Sequence, residues 1–198
     1  MRNILTKTAV IGLMVYGPLA GATPYKLDES HTSVGFKVKH LVVANVKGTF
    51  NKFDGAFEFD EAKGELSKVE VNIDTASIDT NDSKRDDHLK SPDFFDASKN
   101  KKITFKGNKI EYKDKKPVKI TGELQMKGVT KPITLDLEYN GAAKDPWGNE
   151  KVGFSLKGKL NRKDWNITWN KNLDGGGVVV GEEIEIMIEG EANKVAKK

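Results

Sequence analysis

An all-β, antiparallel fold is predicted by three features of this 198-residue sequence. Apolar and polar residues alternate with period two along most of the chain, so that every second side chain faces the same way. Short stretches rich in Gly, Pro, Asn and Asp separate the alternating runs. Only one segment, Asn81 to Ser91, has charge spacing compatible with a helix.

The chain opens with a leader rather than a structural element. Arg2 and Lys7 form a positive n-region, Thr8 to Leu19 an apolar stretch broken by Gly17 and Pro18, and Ala20-Gly21-Ala22 a small-x-small pattern. This predicts a signal peptide over 1–22, cleaved after Ala22, with one domain over 23–198. The apolar run is shorter than the roughly 20 residues of a membrane span, so no stable membrane insertion is expected after cleavage. With no Cys in the chain, a lipidated-Cys anchor, a disulfide framework, thiol catalysis and Cys-based metal sites are excluded.

The strands follow in order. Val34, Phe36 and Val38 alternate with Gly35, Lys37 and Lys39. Shorter candidates cover Gly48 to Phe53 and Ala56 to Asp60, and Val69, Val71 and Ile73 continue the pattern. Asn81 to Ser91 is a short helix that Pro92 ends, since the residue before Pro avoids the helical region; a Phe94-Phe95 plug follows it. Ile103 to Phe105 and Lys109 to Tyr112 are two short strand candidates. Val118, Ile120, Leu124 and Met126 share one face of the next strand. Ile133 to Tyr139, Val152 to Leu156 and Ile184 to Ile188 complete the set, and Asp174 to Gly177 must turn or bulge.

Composition narrows the function classes. Of the 33 Lys and Arg, two lie in the leader, which leaves 31 against 29 Asp and Glu, nearly balanced. Arg2, Arg85 and Arg162 are the only arginines, whereas nucleic-acid readers rely on clustered Arg; no nucleic-acid partner is expected. The residues contain no HExxH motif, no close His pair and no GxSxG elbow. His31, His40 and His88, even combined with Asp79 or Asp86, lack a recognised metal-ligand spacing, and no metal or cofactor is expected. The adjacency of Ser30 and His31 carries little catalytic weight, because neighbours on a strand face opposite sides.

Alternation alone fits either a closed barrel or a two-sheet sandwich. Longer motifs resemble those of one family. Tyr25 to His40 (YKLDESHTSVGFKVKH) resembles the first strand of the YceI-like, polyisoprenoid-binding, lipocalin-like family. Gly48-Thr49-Phe50 with Phe53 and Gly55, Ser77 to Thr80, and Arg85 to Asp96 (RDDHLKSPDFFD) resemble its further signatures. So do Gly122-Glu123-Leu124, Gly128 to Pro132, and Leu160-Asn161-Arg162 with Asp164-Trp165. Trp165-Asn166 stands where the family commonly has Phe-Gly. The resemblance implies an extended antiparallel barrel of about eight strands, periplasmic or secreted, that is not an enzyme. Its implied partner is a long-chain lipid such as an isoprenoid quinone or polyprenyl compound; a homodimer is compatible with it.

On that reading the lumen is lined by Phe36, Val38, Phe50, Phe57, Val71, Ile73, Phe105, Leu124, Met126, Leu135, Leu137, Phe154, Leu156 and Trp165. The same residues would equally serve as a filled core. Arg85, Asp86 and His88 either brace the helix over a barrel end or touch a lipid head group. The alternative function is a carbohydrate- or protein-binding β-module with a filled core, which Trp147, Trp165 and Trp169 aligned on one surface would favour.

Overall fold

A computed structural model describes residues 21–195; residues 1–20, all but the last two of the expected signal peptide, lie outside the described residues. The strands are β1 (Thr23–Leu27), β2 (Ser33–His40), β3 (Ala44–Phe50), β4 (Phe53–Asp60), β5 (Glu65–Asp74), β6 (Ile78–Asp79), β7 (Lys102–Lys113), β8 (Lys116–Met126), β9 (Val129–Lys144), β10 (Glu150–Asn161) and β11 (Val180–Lys194). Among the described residues one α-helix, α1 (Ser83–Lys90), stands between β6 and β7.

The strands form one antiparallel sheet that closes because β1 pairs with β4 on one side and with β11 on the other. Two kinks turn this list into an eight-stranded ring. Asp28 accepts a hydrogen bond from the Ser30 amide at 3.1 Å and starts a 3-10 turn over Glu29–His31. That turn divides the Tyr25 to His40 run into β1 and β2. A bend at Asn51-Lys52 likewise divides β3 from β4. Since β1 pairs with β4 and β2 with β3, each kinked pair runs as one strand of the barrel. The two short candidates around Ile103 and Lys109 are in fact one strand, β7, whose continuity the sequence hides behind a register shift between Gly107 and Lys109.

Register explains why alternation produces a lumen. Residues directly opposite on antiparallel neighbours share a face. Leu137, Leu156, Ile188, Val34 and Phe50 stand opposite one another across β9, β10, β11, β2 and β3. Phe53, Ile73 and Ile103 make a similar rung, as do Val71, Phe105 and Leu124. The outer face carries ion pairs such as Lys37–Glu185 at 2.7 Å and Lys159–Glu183 at 2.8 Å. Gly48 is inward and opposite Phe36; a Cβ there would sit 2.5 Å from the Phe36 ring.

The two ends are closed differently. At the end holding the termini of β1 and β11, Tyr25, Phe59, Val152 and Ala192 form a small apolar cluster. The Tyr25 ring stacks on Phe57 at 5.5 Å, and its hydroxyl donates to Glu61. At the other end α1 and the segment after it act as a plug. The Asp82 side chain caps the helix by accepting from the Arg85 amide at 3.0 Å, and Pro92 follows its end. The Phe95 amide donates back to Leu89 at 3.0 Å, turning Phe95 under the helix toward Phe50, while Phe94 packs on His88 and Trp169.

Candidate functional site

Many inward-facing side chains are not fully buried, although they point away from solvent. Phe36, Val38, Val71, Ile73, Phe154, Leu156, Ile184, Ile186 and Ile188 are all half-buried. They border a cavity of about 250 Å³ inside the barrel, against the roughly 10–15 Å³ that holds one water. A void of this size is far beyond the packing defects of a filled core. It reaches from Phe59, Leu66 and Tyr139 at one end to Phe94, Ile167 and Val180 at the other. Its wall is almost wholly apolar; side-chain polarity is confined to Thr32, Tyr139 and Arg162.

The structure brings every residue expected in the lining to this wall except Trp165. Trp165 is 2% exposed, and its ring Nε1 donates to the Leu124 carbonyl at 3.1 Å. It therefore packs behind the wall rather than in it; the 3-10 turn Arg162–Trp165 after β10 takes it out of strand alternation. Sequence reasoning missed Val34, Phe94, Phe95, Ile120, Ile186 and Ile188 as wall residues. The strand periodicity already held Val34, Ile120, Ile186 and Ile188, whereas the position of the two Phe depends on the fold of the plug.

Arg162 was also missed. It is 3% exposed and donates from Nε to Gly181 at 2.9 Å, from Nη1 to Ile167 at 2.6 Å and from Nη2 to Val180 at 3.3 Å. Burial lowers its pKa from the ordinary value, opposed by the nearby Glu182 carboxylate. The guanidinium is thus spent on backbone carbonyls and ties the turn after β10 to the start of β11.

Arg85, Asp86 and His88 form a brace. Asp86 is buried and accepts from the Thr80 amide at 2.9 Å and hydroxyl at 2.5 Å. Arg85 donates to the Thr80 hydroxyl at 2.8 Å and carbonyl at 2.7 Å. His88 Nε2 meets Asp93 at 3.0 Å, with its ring edge-on to Phe94 and Trp169. None of the three borders the cavity. Of the tryptophans, Trp165 is buried, Trp169 packs on His88 and Phe94, and Trp147 is 85% exposed in a turn; they do not form one surface.

Ser30 and His31 do touch, contrary to the strand argument, because they lie on a 3-10 turn. Ser30 Oγ donates to Asp28 Oδ1 at 2.6 Å and lies 3.0 Å from His31 Nδ1, which also lies 3.1 Å from Asp28 Oδ2. A nucleophilic triad needs Ser and Asp on opposite ring nitrogens; here both use the same one. Asp28, His31 and Glu191 come close enough to suggest a metal set. The Lys151 ammonium already occupies it, 2.6 Å from Asp28 and 3.2 Å from Glu191. That ammonium, with Ser30, His31 and Asn193, holds the Asp28 carboxyl well below the usual range.

Comparison with known proteins agrees with this architecture. The profile of the YceI-like domain matches residues 25–192. The chain is 41% identical to Protein YceI of Escherichia coli over 169 residues, covering 84% of this chain and 88% of that protein. It is 40% identical to a UPF0312 protein of Pectobacterium carotovorum over 195 residues, 98% of both chains. A crystal structure of the Campylobacter jejuni YceI protein superposes with a TM-score of 0.69 at 42% identity, covering 86% of this chain and 97% of that one. A polyisoprenoid binding domain from Saccharophagus degradans, implicated in plant cell wall breakdown, shares the fold alone, with a TM-score of 0.64 at 12% identity and coverage of 86% and 98%.

Proposed function

The chain belongs to the YceI-like domain family, and on that premise we propose that it is a non-enzymatic carrier that holds a long-chain isoprenoid or similar lipid in its barrel. The observation that carries this reading is the continuous apolar cavity, bordered by half-buried Phe, Leu, Ile and Val on most strands. Each methylene-sized group taken from water is worth about 0.8 kcal/mol. An isoprenoid tail therefore outweighs ordering costs of several kcal/mol. The sparse polarity of the wall means that selection acts on the tail, and a quinone or phosphate head belongs at an end of the barrel. The small-x-small leader supports export to the periplasm, with the mature chain starting at Thr23.

The test is lipid recovery from a doubly substituted lumen. Leu137→Gln with Phe154→Gln places two amides on the wall at half-buried positions, so the barrel should still fold. Organic extracts of the folded variant should lose the lipid recovered from wild type. Undiminished lipid in a folded double variant contradicts the reading.

A further inference from the structure

The turn between β2 and β3 carries apolar residues where hairpins place polar ones. Leu41 is 39% exposed, Val42 62% and Val43 85%. Leu41 and Val42 have φ of 51° and 65°, in the left-handed region that a β-branched residue such as Val strongly disfavours. Elsewhere the same backbone need is met by Asp114-Lys115 and Lys127-Gly128, pairs that each include a residue suited to such turns, Asp114 and Gly128. An exposed, strained Val returns little packing to its own fold, and strain kept at such a site points to a use outside it.

Two surroundings identify that use. The Leu41 amide donates to Val179 at 2.9 Å, and Val38 and Val180, which flank this contact, line the cavity. The apolar tip thus adjoins one end of the lumen. Lys39 and Lys47 flank the tip and are exposed, and Lys171, whose carbonyl accepts from the Val179 amide, is exposed beside it. Lys37, opposite Lys47, is paired with Glu185 at 2.7 Å, and the adjoining Asp174–Gly177 turn adds one carboxylate. Three apolar side chains are too few for a stable protein interface, but a small apolar wedge inside a lysine collar suits the boundary of an anionic bilayer.

We propose that the β2–β3 tip docks this protein on an anionic phospholipid bilayer. Leu41, Val42 and Val43 enter the interface, Lys39, Lys47 and Lys171 meet the phosphates, and the adjoining cavity end faces the membrane. This rests on the apolar-lipid reading, since a ligand of that kind needs a path that avoids water.

The experiment is flotation of the full mature protein with phosphatidylethanolamine vesicles containing phosphatidylglycerol, alongside phosphatidylcholine vesicles. Binding should require phosphatidylglycerol, weaken with added salt, and fall about tenfold or more for Val42→Asp with Val43→Asp. Val42→Asn, which relieves the strained turn, should raise thermal stability while weakening binding. Trp147→Ser, at the opposite end, should leave binding unchanged. Absence of wild-type binding, or undiminished binding by the Asp variant, overturns the proposal, as does capture of the tip by a protein in place of vesicles. Lipid content is read separately by native mass spectrometry. A lipid-loaded protein that ignores vesicles overturns the docking alone, whereas a lipid-free one overturns the carrier reading beneath it.

Discussion

Arg162 and Asp28 show how single charges hold an apolar barrel together. Arg162 gives its guanidinium to three backbone carbonyls at the cavity end. Arg162→Met should therefore cost about 3 kcal/mol, because buried carbonyls lose charged donors; chemical denaturation reads this directly. Asp28 and Lys151 clasp β10 to the closure between β1 and β11. The Asp28 carboxyl is held low chiefly by Lys151, so its contribution is complete above the unfolded value of about 3.9 and fades as pH falls below it. Lys151 is shifted up, chiefly by Asp28, so its share persists at neutral pH and fades only in strong alkali. Asp28→Asn should destabilise by about 2 kcal/mol at neutral pH, and its difference from wild type in denaturant midpoint should shrink below about pH 4. Neither role was legible in sequence. Asp28 and Arg162 stood in recognisable motifs, but their partners lie on distant strands, and Ser30–His31 misled because a 3-10 turn replaces the expected strand.

Among the elements, the strands were the most legible, since period-two alternation survives closure into a barrel. What alternation could not reveal were the kinks that join β1 to β2 and β3 to β4, and the bulge that makes β7 one strand. Each depends on a local hydrogen bond or register shift rather than on hydrophobic pattern. Helix α1 was legible for a different reason: its charge spacing marked it and Pro92 bounded its end, whereas the Asp82 cap emerged only in the fold. Because α1 positions Phe94 and Phe95 over the lumen, its cap links stability to ligand access. Asp82→Ala should cost about 1 kcal/mol by losing the cap, and should speed release of bound lipid in a dilution assay. A variant that loses stability with unchanged release would detach the plug from ligand exchange. Gly48 belongs to the same scale: Gly48→Ala puts a methyl against Phe36 and Thr80 and should cost about 1–3 kcal/mol.

At the scale of the molecule, closure is what turns an alternating sequence into a container. A closed ring of eight strands leaves room for one small ligand, and the half-buried state of its inner residues separates this barrel from a sandwich with a filled core. The sequence motifs carried the architecture; the openness of the lumen was not legible, because the same side chains would serve a filled core equally well. The central claim is that this space is made for a long apolar lipid. Native mass spectrometry of the protein purified from its native cells, with organic extraction of what it carries, tests that claim most directly. One isoprenoid-type or other long-chain lipid per chain is the predicted result; a folded, ligand-free protein that takes up no added quinone would contradict it.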